Sequence, residues 1–326
     1  MVVRLLFHRK VLPTRTAFRT RCPALRPASS RKAPNRLFRV DSEPRVREGS
    51  VRQGAALPVA LALLLLFAIA PREALADEPR PLAHDLRLDI PITVVAAGTA
   101  LGLNLAAGSL APSCRWCGSN GLDDAMRSAL RRNDPEPARF ASDVFVVASP
   151  FVNVGLLALA ANDEGRPEEI PLNSLLVAES ASIAMMLNAV AKVSFARERP
   201  AVHALAEADK PKTDNPADNN VSFFSGHAAF TFALATSAGT IAQMRGYRIA
   251  PAIWGVGLPI AFATSYLRVA ADRHYFTDVL GGMVLGSLVG VAVPLLFHSP
   301  VSERVVVGGG PVPGGQMFTL TFPGFL

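Results

Sequence analysis

Uncharged stretches separated by short polar segments make up most of the chain after residue 89. The six stretches are 90–114, 144–162, 171–191, 219–244, 249–267 and 279–302, and a single charge, Glu179, interrupts the third. A helix rises 1.5 Å per residue, so each stretch is long enough, or nearly so, to cross a hydrocarbon core of about 30 Å. The pattern predicts an all-α membrane bundle of about six core helices.

A soluble helical bundle is the alternative interpretation of the same pattern. Gly, Ala, Ser and Asn104 make several stretches only moderately hydrophobic, as in helices that are buried on every side. Small residues also suit close packing of helices in lipid, so they do not separate the two interpretations. Glu179 would be costly facing lipid, and we expect it to point into the bundle and make a structural hydrogen bond there.

The chain begins with two segments that are predicted to lie outside the bundle. Residues 1–50 hold eleven arginines and two lysines against three acids, and they are predicted to be a disordered basic extension or the product of a start site placed too far upstream. Residues 51–76 contain Arg52, an apolar core and a small-x-small site ending at Ala76, which predicts a signal peptide or an anchor helix. The whole chain has a net charge of +7, so residues 51–326 sum to −3, and composition does not indicate nucleic-acid binding.

The remaining segments divide into a helical domain, 77–299, and a C-terminal tail, 300–326. The tail is predicted to form a weak hairpin or to be disordered. Within 111–142, the sequence "GLDDAMRSALRR" predicts a short amphipathic helix, and 201–220 predicts a flexible loop that could close over a site.

The two cysteines of "CRWC" predict a local structure. Cys114 and Cys117 have the spacing of metal ligands, but no second pair of Cys or His lies at a suitable distance to complete a zinc site. The spacing therefore favours a local disulfide or two free thiols.

Polar residues cluster at the ends of the predicted helices, and the first cluster is "KVSFARERP". Lys192 and Arg199 lie seven residues apart, so two turns of one helix would project both cations from one face, before Pro200 ends the helix. Two cations on one face favour an anion. A positively charged membrane flank is the alternative.

The second cluster is Ser225-Gly226-His227 in "VSFFSGHAAF". Ser225 is predicted to cap a helix, and Gly226 allows a ligand to approach the backbone closely. The free N–H groups of the first turn then form an anion site. His227 would give or take a proton beside that anion, although a capping serine with an incidental histidine is the usual explanation of such a triplet.

The third cluster is "YLRVAADRHYFTD". His274 and Asp278 are four residues apart, so on one helical face Asp278 could hold one ring nitrogen and leave the other as a nucleophile or base. Arg268 would supply a further fork to phosphate-like oxygens. Arg273 would point elsewhere and is predicted to be a surface charge.

Taken together, the three clusters resemble the signature of the type 2 phosphatidic acid phosphatase family, which shares its fold with vanadium haloperoxidases and bacterial acid phosphatases. The clusters span 192–278, and with their helices the resemblance covers about 90–298. The chain has Phe224 where the family usually has proline, and Leu267 where it often has serine. These departures concern fine substrate preference more than chemistry.

The resemblance implies a metal-independent phosphatase that needs no cofactor. The phosphate-binding residues that it implies are Lys192, Arg199, Ser225, Gly226 and Arg268. It further implies that His274, oriented by Asp278, attacks phosphorus to form a phosphohistidine, and that His227 protonates the leaving oxygen.

The implied substrate is a membrane lipid phosphate or polyprenyl phosphate, and the implied location is the bacterial inner membrane with the site facing the periplasm. A vanadium-dependent haloperoxidase and a non-catalytic phospholipid-binding membrane protein are the alternatives. The sequence gives no indication of oligomeric state. If the signal segment is real, residue 80 lies outside, and three crossings would put Lys192 inside; we therefore predict that the segment from Ile90 does not span.

Overall fold

A computed structural model describes the backbone of residues 2–8, 81–299, 306–312 and 315–321, and the side chains of 81–299. The helices of this part are α1 Leu86–Leu105, α2 Ala107–Leu110, α3 Gly121–Leu130, α4 Glu136–Asp163, α5 Ile170–Phe195, α6 Pro200–His203, α7 Gly226–Met244, α8 Ala250–Ala270 and α9 Phe276–Phe297. Short 3-10 turns lie at Pro167–Glu169, Lys210–Lys212 and Pro216–Asp218. The signal-like segment 51–76 lies outside the described residues.

Three short strands form a sheet from the two ends of the chain. The strands are β1 Val2–His8, β2 Val306–Val312 and β3 Gly315–Thr321, in the order β1-β3-β2, and β2 pairs with β3 as an antiparallel hairpin. The hairpin is one of the two predictions for the tail. Strand β1 differs from the predicted disorder of residues 1–50, because the basic composition of the whole segment conceals the apolar, β-prone run "VVRLLFH" at its start.

Six helices of the described part are long, and five of them are long and apolar enough to cross a membrane. These five are Leu86–Leu105, Glu136–Asp163, Pro167–Phe195, Ala250–Ala270 and Phe276–Phe297. The first contains most of the segment from Ile90, and its length and composition disagree with the prediction that this segment does not span. The sixth long helix, α7, is enclosed by the others, and nearly all of its residues are buried.

Small residues let α9 approach α7 closely. Gly282, Gly286 and Gly290 recur every four residues along α9, and a Cβ added to Gly286 would lie 2.3 Å from the carbonyl oxygen of Ala229. Such close backbone contact is typical of helix pairs in membranes.

The outer surface of the bundle is strongly apolar. Leu105 is 79% exposed, Phe151 75% and Leu288 64%, on α1, α4 and α9 respectively. A soluble protein rarely exposes so continuous an apolar surface, whereas lipid covers it at no cost. The chain is therefore a helical membrane bundle and not the soluble bundle considered from sequence.

The two ends of the bundle differ in chemistry. Leu176 near the start of α5, Ile241 near the end of α7 and Ile253 near the start of α8 share one apolar core cluster. The opposite helix ends, namely the last turns of α5 and α8 and the first turns of α7 and α9, carry the three polar clusters. The fold thus gathers these clusters at one end.

Candidate functional site

Lys192 and Arg199 reach the site from different structural elements: Lys192 lies on α5, and Arg199 lies in the extended segment that follows it. Helix α5 ends at Phe195, where Ala196 takes a left-handed conformation with φ 43°, and Arg199 follows in extended backbone. The prediction of two turns of one helix is therefore wrong, because the left-handed residue stops the helix before Pro200. Both cations nevertheless lie at the same end of the bundle.

His274 lies in a turn and not on a helix. Helix α8 ends at Ala270, Asp272 takes φ 54°, and α9 begins at Phe276. His274 and Asp278 therefore do not share a helical face as predicted, since His274 precedes the start of α9 and Asp278 lies in its first turn.

Asp278 acts on His274 mainly through Ser222. The Nδ1 atom of His274 lies 2.9 Å from the Ser222 carbonyl oxygen but 3.7 Å from Asp278 Oδ2. The Ser222 hydroxyl donates to Asp278 at 2.6 Å, and the Tyr275 N–H donates to the same carboxylate at 2.9 Å. The carboxylate thus fixes the segment whose carbonyl orients the ring, which is less direct than the predicted His–Asp hydrogen bond.

The hydrogen bonds of His274 define its tautomer. The Ser222 carbonyl can only accept, so Nδ1 carries the proton, while Arg199 can only donate, and its NH1 lies 3.2 Å from Nε2. Burial, followed by the charges of Arg199, Arg268 and Lys192, lowers the pKa of His274 well below its usual value. The ring is therefore neutral at pH 7, and its Nε2 lone pair accepts from Arg199, a donor that an incoming anion can take over.

Ser225 and Gly226 start α7 as predicted. The Ser225 hydroxyl accepts from the N–H of Ala228 at 3.4 Å. A Cβ on Gly226 would lie 3.2 Å from Asn188 Oδ1 and 3.5 Å from Lys192 Nζ, so glycine keeps this space free beside the lysine. Among the described residues, the Lys192 amine has no hydrogen-bond or ion-pair partner, and it can bind an incoming anion.

Asn188 is a residue that the sequence analysis missed. It lies one turn before Lys192 on α5, and its Nδ2 donates to the Phe224 carbonyl at 3.0 Å. This bond holds Phe224 at the approach to α7. The regular spacing of Asn188 and Lys192 is the signal that could have identified it.

Asp143 of α4 joins the second and third clusters. Its Oδ1 lies 2.9 Å from His227 Nε2 and 3.3 Å from Arg268 NH1, and Arg268 also donates to the Ser142 hydroxyl at 3.0 Å. Since a carboxylate accepts, Nε2 of His227 carries a proton and the other ring nitrogen is left for a ligand. Asp143 was missed because an isolated acid 84 residues before His227 gives no sequence signal.

Arg197 connects the residues that hold the site in position. It is fully buried, pairs with Asp278 on one side and with Asp123 of α3 at 2.6 Å on the other, and lies between two rings. The Trp116 and Tyr275 ring centres are 3.9 Å and 4.2 Å from its guanidinium carbon. Arg197 lies within the first polar cluster, but no role was predicted for it, because the nearby Arg199 fits the signature.

Replacing Arg197 by methionine should destabilise the fold by about 3–5 kcal/mol, since two buried carboxylates would lose their shared cation. Thermal unfolding in detergent measures this effect as a lower Tm. Arg248→Met is the matched control, because Arg248 makes only exposed ion pairs and should leave Tm unchanged. A wild-type Tm in Arg197→Met would contradict the structural role.

The predicted loop 201–220 contributes Asp218 to the site. Asp218 accepts from Arg199 at 2.6 Å and from Arg273 at 2.7 Å, and the Arg273 carbonyl accepts a further bond from Arg199. Arg273 is therefore not the separate surface charge that was predicted, because the turn after α8 directs it back to this loop. These contacts fix Arg199 in place beside His274.

The cysteines form the local disulfide that the sequence allowed, Cys114–Cys117. The enclosed residues pair with the chain after α5, where Arg115 N–H donates to the Ala196 carbonyl at 3.0 Å and Glu198 N–H donates to the Trp116 carbonyl at 3.1 Å. The disulfide thus lies at the same end of the bundle as the site.

The arrangement has the chemistry of a phosphate-transfer site. Three cations surround a neutral histidine whose Nε2 lone pair accepts from Arg199, and a second histidine has a carboxylate partner. The cations can neutralise an oxyanion, and the two rings can serve as nucleophile and acid.

Comparisons with known proteins gave one family match and a similar solved structure. Residues 173–300 match the sequence model of a family described as the PAP2 superfamily. One similar solved structure is a transmembrane PAP2 type phosphatidylglycerolphosphate phosphatase from Bacillus subtilis, with 20% identity, a TM-score of 0.41, and coverage of 60% of this chain and 94% of that chain. No curated protein sequence gives a significant match. The matched segment contains every residue predicted for the site and excludes Asp143.

Proposed function

We propose that the chain, whose residues 173–300 match the sequence model of the PAP2 superfamily, removes a terminal phosphate from a membrane lipid or polyprenyl phosphate. The observation that carries the proposal is the lone pair of neutral His274, which faces the guanidinium of Arg199 at 3.2 Å. A nucleophile beside fixed cations suits attack on a phosphate monoester or pyrophosphate.

Phosphate binding rests on the three cations and the start of α7. Lys192, Arg199 and Arg268 hold the phosphate oxygens, together with the Ser225 hydroxyl and the Gly226 N–H. Hydrogen bonds hold Arg199 and Arg268 in place before substrate arrives, so these two donors can stabilise the charge that develops in the transition state with little reorganisation. They supply the neutralisation that a metal ion gives in other phosphatases, so the proposed reaction needs no metal.

The first chemical step forms a phosphohistidine. Nε2 of His274 bonds to phosphorus, the bond from phosphorus to the alcohol or phosphate leaving group breaks, and His227 gives its proton to that oxygen. The Nδ1–H of His274 stays on the Ser222 carbonyl, which stabilises the positive ring. Asp278 is a positioning residue, because it fixes Ser222.

The protonation of His227 depends on its neighbours. Burial and the nearby Arg268 lower its pKa to about 4, while the Asp143 carboxylate opposes them. A bound phosphate dianion raises this pKa, because an opposite charge favours the protonated ring. His227 then acquires its proton together with the substrate, and Asp143 holds the Nε2–H so that the other nitrogen faces the leaving oxygen.

The second step hydrolyses the intermediate. His227, now neutral, takes a proton from water as the water oxygen bonds to phosphorus and the bond to His274 breaks. Inorganic phosphate leaves, His227 releases the proton that the bound phosphate had stabilised, and both histidines return to their starting states.

Replacing Asp143 by asparagine should lower kcat by about 10-fold to 100-fold, because the imidazolium of His227 loses its partner. The lost negative charge also lowers the pKa of His227 in the substrate complex, so the alkaline limb of the kcat profile should move to lower pH. Asp163→Asn is the matched control at the other end of α4. A reduced kcat with an unchanged pH profile would contradict the role of Asp143.

A substrate panel tests the proposed function. Phosphate release from phosphatidic acid, a lysolipid phosphate, a polyprenyl pyrophosphate and a lipopolysaccharide phosphate is measured in detergent, with brief exposure to EDTA. Release that survives EDTA is expected, and the relative kcat/KM values rank the substrates. No release by folded protein would contradict the proposal, and bromide oxidation after addition of vanadate would instead favour a haloperoxidase.

We place the site on the periplasmic face of a bacterial inner membrane. A disulfide persists in an oxidising compartment, and Cys114–Cys117 lies at the site end of the bundle. Spanning helices α1, α4 and α5 would then put residue 81 on the cytoplasmic side, which argues against cleavage of a signal after Ala76. After reduction, an impermeant thiol reagent should label Cys114 in intact spheroplasts, and protection would contradict this orientation.

A further inference from the structure

A second buried polar cluster lies far from the phosphate site. Its members are Asp89 of α1, Glu179 of α5 and His298 just after α9, which are 6%, 3% and 2% exposed. One ligand atom from each lies within 4.8 Å of the other two. Glu179 precedes Lys192 by thirteen residues on α5, which separates the cluster from the phosphate site by about 20 Å.

Two atoms of the cluster face each other without a hydrogen bond. His298 Nδ1 donates to the Ala83 carbonyl at 3.0 Å, so a neutral ring presents a lone pair at Nε2. This Nε2 lies 3.2 Å from Glu179 Oε2, and both atoms are buried and lack a hydrogen-bond partner among the described residues. Two facing acceptors require a cation or a proton between them.

The composition of the cluster suits a divalent cation. Asp89 and Glu179 bring two carboxyl groups to one imidazole, and no described Lys or Arg forms an ion pair with either. Asp89 accepts a hydrogen bond from the Asp85 N–H at 2.9 Å. A proton shared by His298 and Glu179 would leave Asp89 without a cationic partner, whereas a divalent ion can bind all three groups.

We propose that Asp89, Glu179 and His298 form a zinc-type site that joins the first turn of α1, the middle of α5 and the end of α9. An imidazole with two carboxylates suits Zn²⁺, whereas Mg²⁺ and Ca²⁺ prefer all-oxygen ligands. Tetrahedral zinc needs its ligand atoms about 3.4 Å apart, so the side chains close by roughly 1 Å, and water fills the fourth position. The Ala83 carbonyl orients the imidazole, as outer partners of metal-bound histidines do.

The site is expected to stabilise the protein and not to take part in phosphate release. Full-length protein without a histidine tag is stripped with chelator and dialysed against Zn²⁺, and bound metal is counted by mass spectrometry. One zinc per chain is expected, and zinc at about 100 times its Kd should raise Tm by roughly 5–10 °C, with little effect of Mg²⁺. Co²⁺ in place of zinc should give the absorption bands of a tetrahedral site.

Variants assign the metal to this cluster. Glu179→Gln and His298→Ala should lose the bound zinc and the rise in Tm, whereas His84→Ala, which removes an exposed histidine near α1, should keep both. Wild-type protein that binds no zinc would overturn the proposal even if a variant fails to fold, and it would leave an imidazolium–carboxylate pair as the explanation. Zinc that persists in both cluster variants would overturn it too. Phosphate release by zinc-free wild type at low temperature should be unchanged, so the test is independent of the proposed function.

Discussion

Replacing His274 by alanine should lower kcat for phosphate release from the best lipid substrate by at least about 10⁴-fold, because no other group can form the covalent intermediate. The Nε2 lone pair of His274 is already directed at Arg199, and the Ser222 carbonyl holds the opposite nitrogen. Steady-state release of inorganic phosphate in detergent measures the loss.

The control for this variant is His203→Ala. His203 is 43% exposed in its side chain and pairs with Glu198 outside the cation cluster. This variant should keep kcat near the wild-type value. If His274→Ala folds and retains more than about a hundredth of wild-type kcat, His274 is not the nucleophile.

Replacing His227 by alanine should lower kcat for a lipid phosphate by about 10²-fold to 10⁴-fold, the usual value of a general acid. An alkoxide is a poor leaving group, and without His227 it departs unprotonated. The loss in the phosphorylation step should be far smaller with p-nitrophenyl phosphate, whose leaving group needs no proton. Rapid-mixing measurement of the first turnover with both substrates separates the two effects.

Equal losses of the first-turnover rate for the lipid and the nitrophenyl substrate would contradict the assignment of His227 as the acid. They would indicate that its imidazole mainly binds phosphate. Asp143→Asn should show the same dependence on the leaving group in weaker form, because Asp143 acts through His227.

The helical bundle was predictable because spans, loops and helix starts leave local signals. Uncharged runs predict the approximate positions of the long helices, and Ser225 followed by Gly226 predicts the start of α7. The positions of Arg199 and His274 were not predictable from the sequence. Each follows a residue in the left-handed conformation, Ala196 or Asp272, and neither of these is the glycine that usually marks such a turn. The spacing of seven residues between Lys192 and Arg199 and of four residues between His274 and Asp278 therefore resembled helical repeats, although neither pair lies on one helix.

The supporting residues of the site were hidden for a different reason. Asp143, Asp218 and Asp123 act through contacts with residues distant in sequence, and each looks like an ordinary polar residue near a helix end. Only the fold places them against Arg268, Arg199 and Arg197. Sequence spacing reports groups on one element, whereas these pairs depend on how elements pack.

The most direct test of the phosphohistidine is the first turnover of His227→Ala with p-nitrophenyl phosphate. The phosphorylation step needs no acid with this substrate, but hydrolysis still needs His227 as the base. We expect a burst of about one nitrophenol per active chain, together with a phosphoryl group on His274 that is stable to base and labile to acid. Steady hydrolysis without a burst, and with no phosphoryl group on His274, would contradict the covalent mechanism.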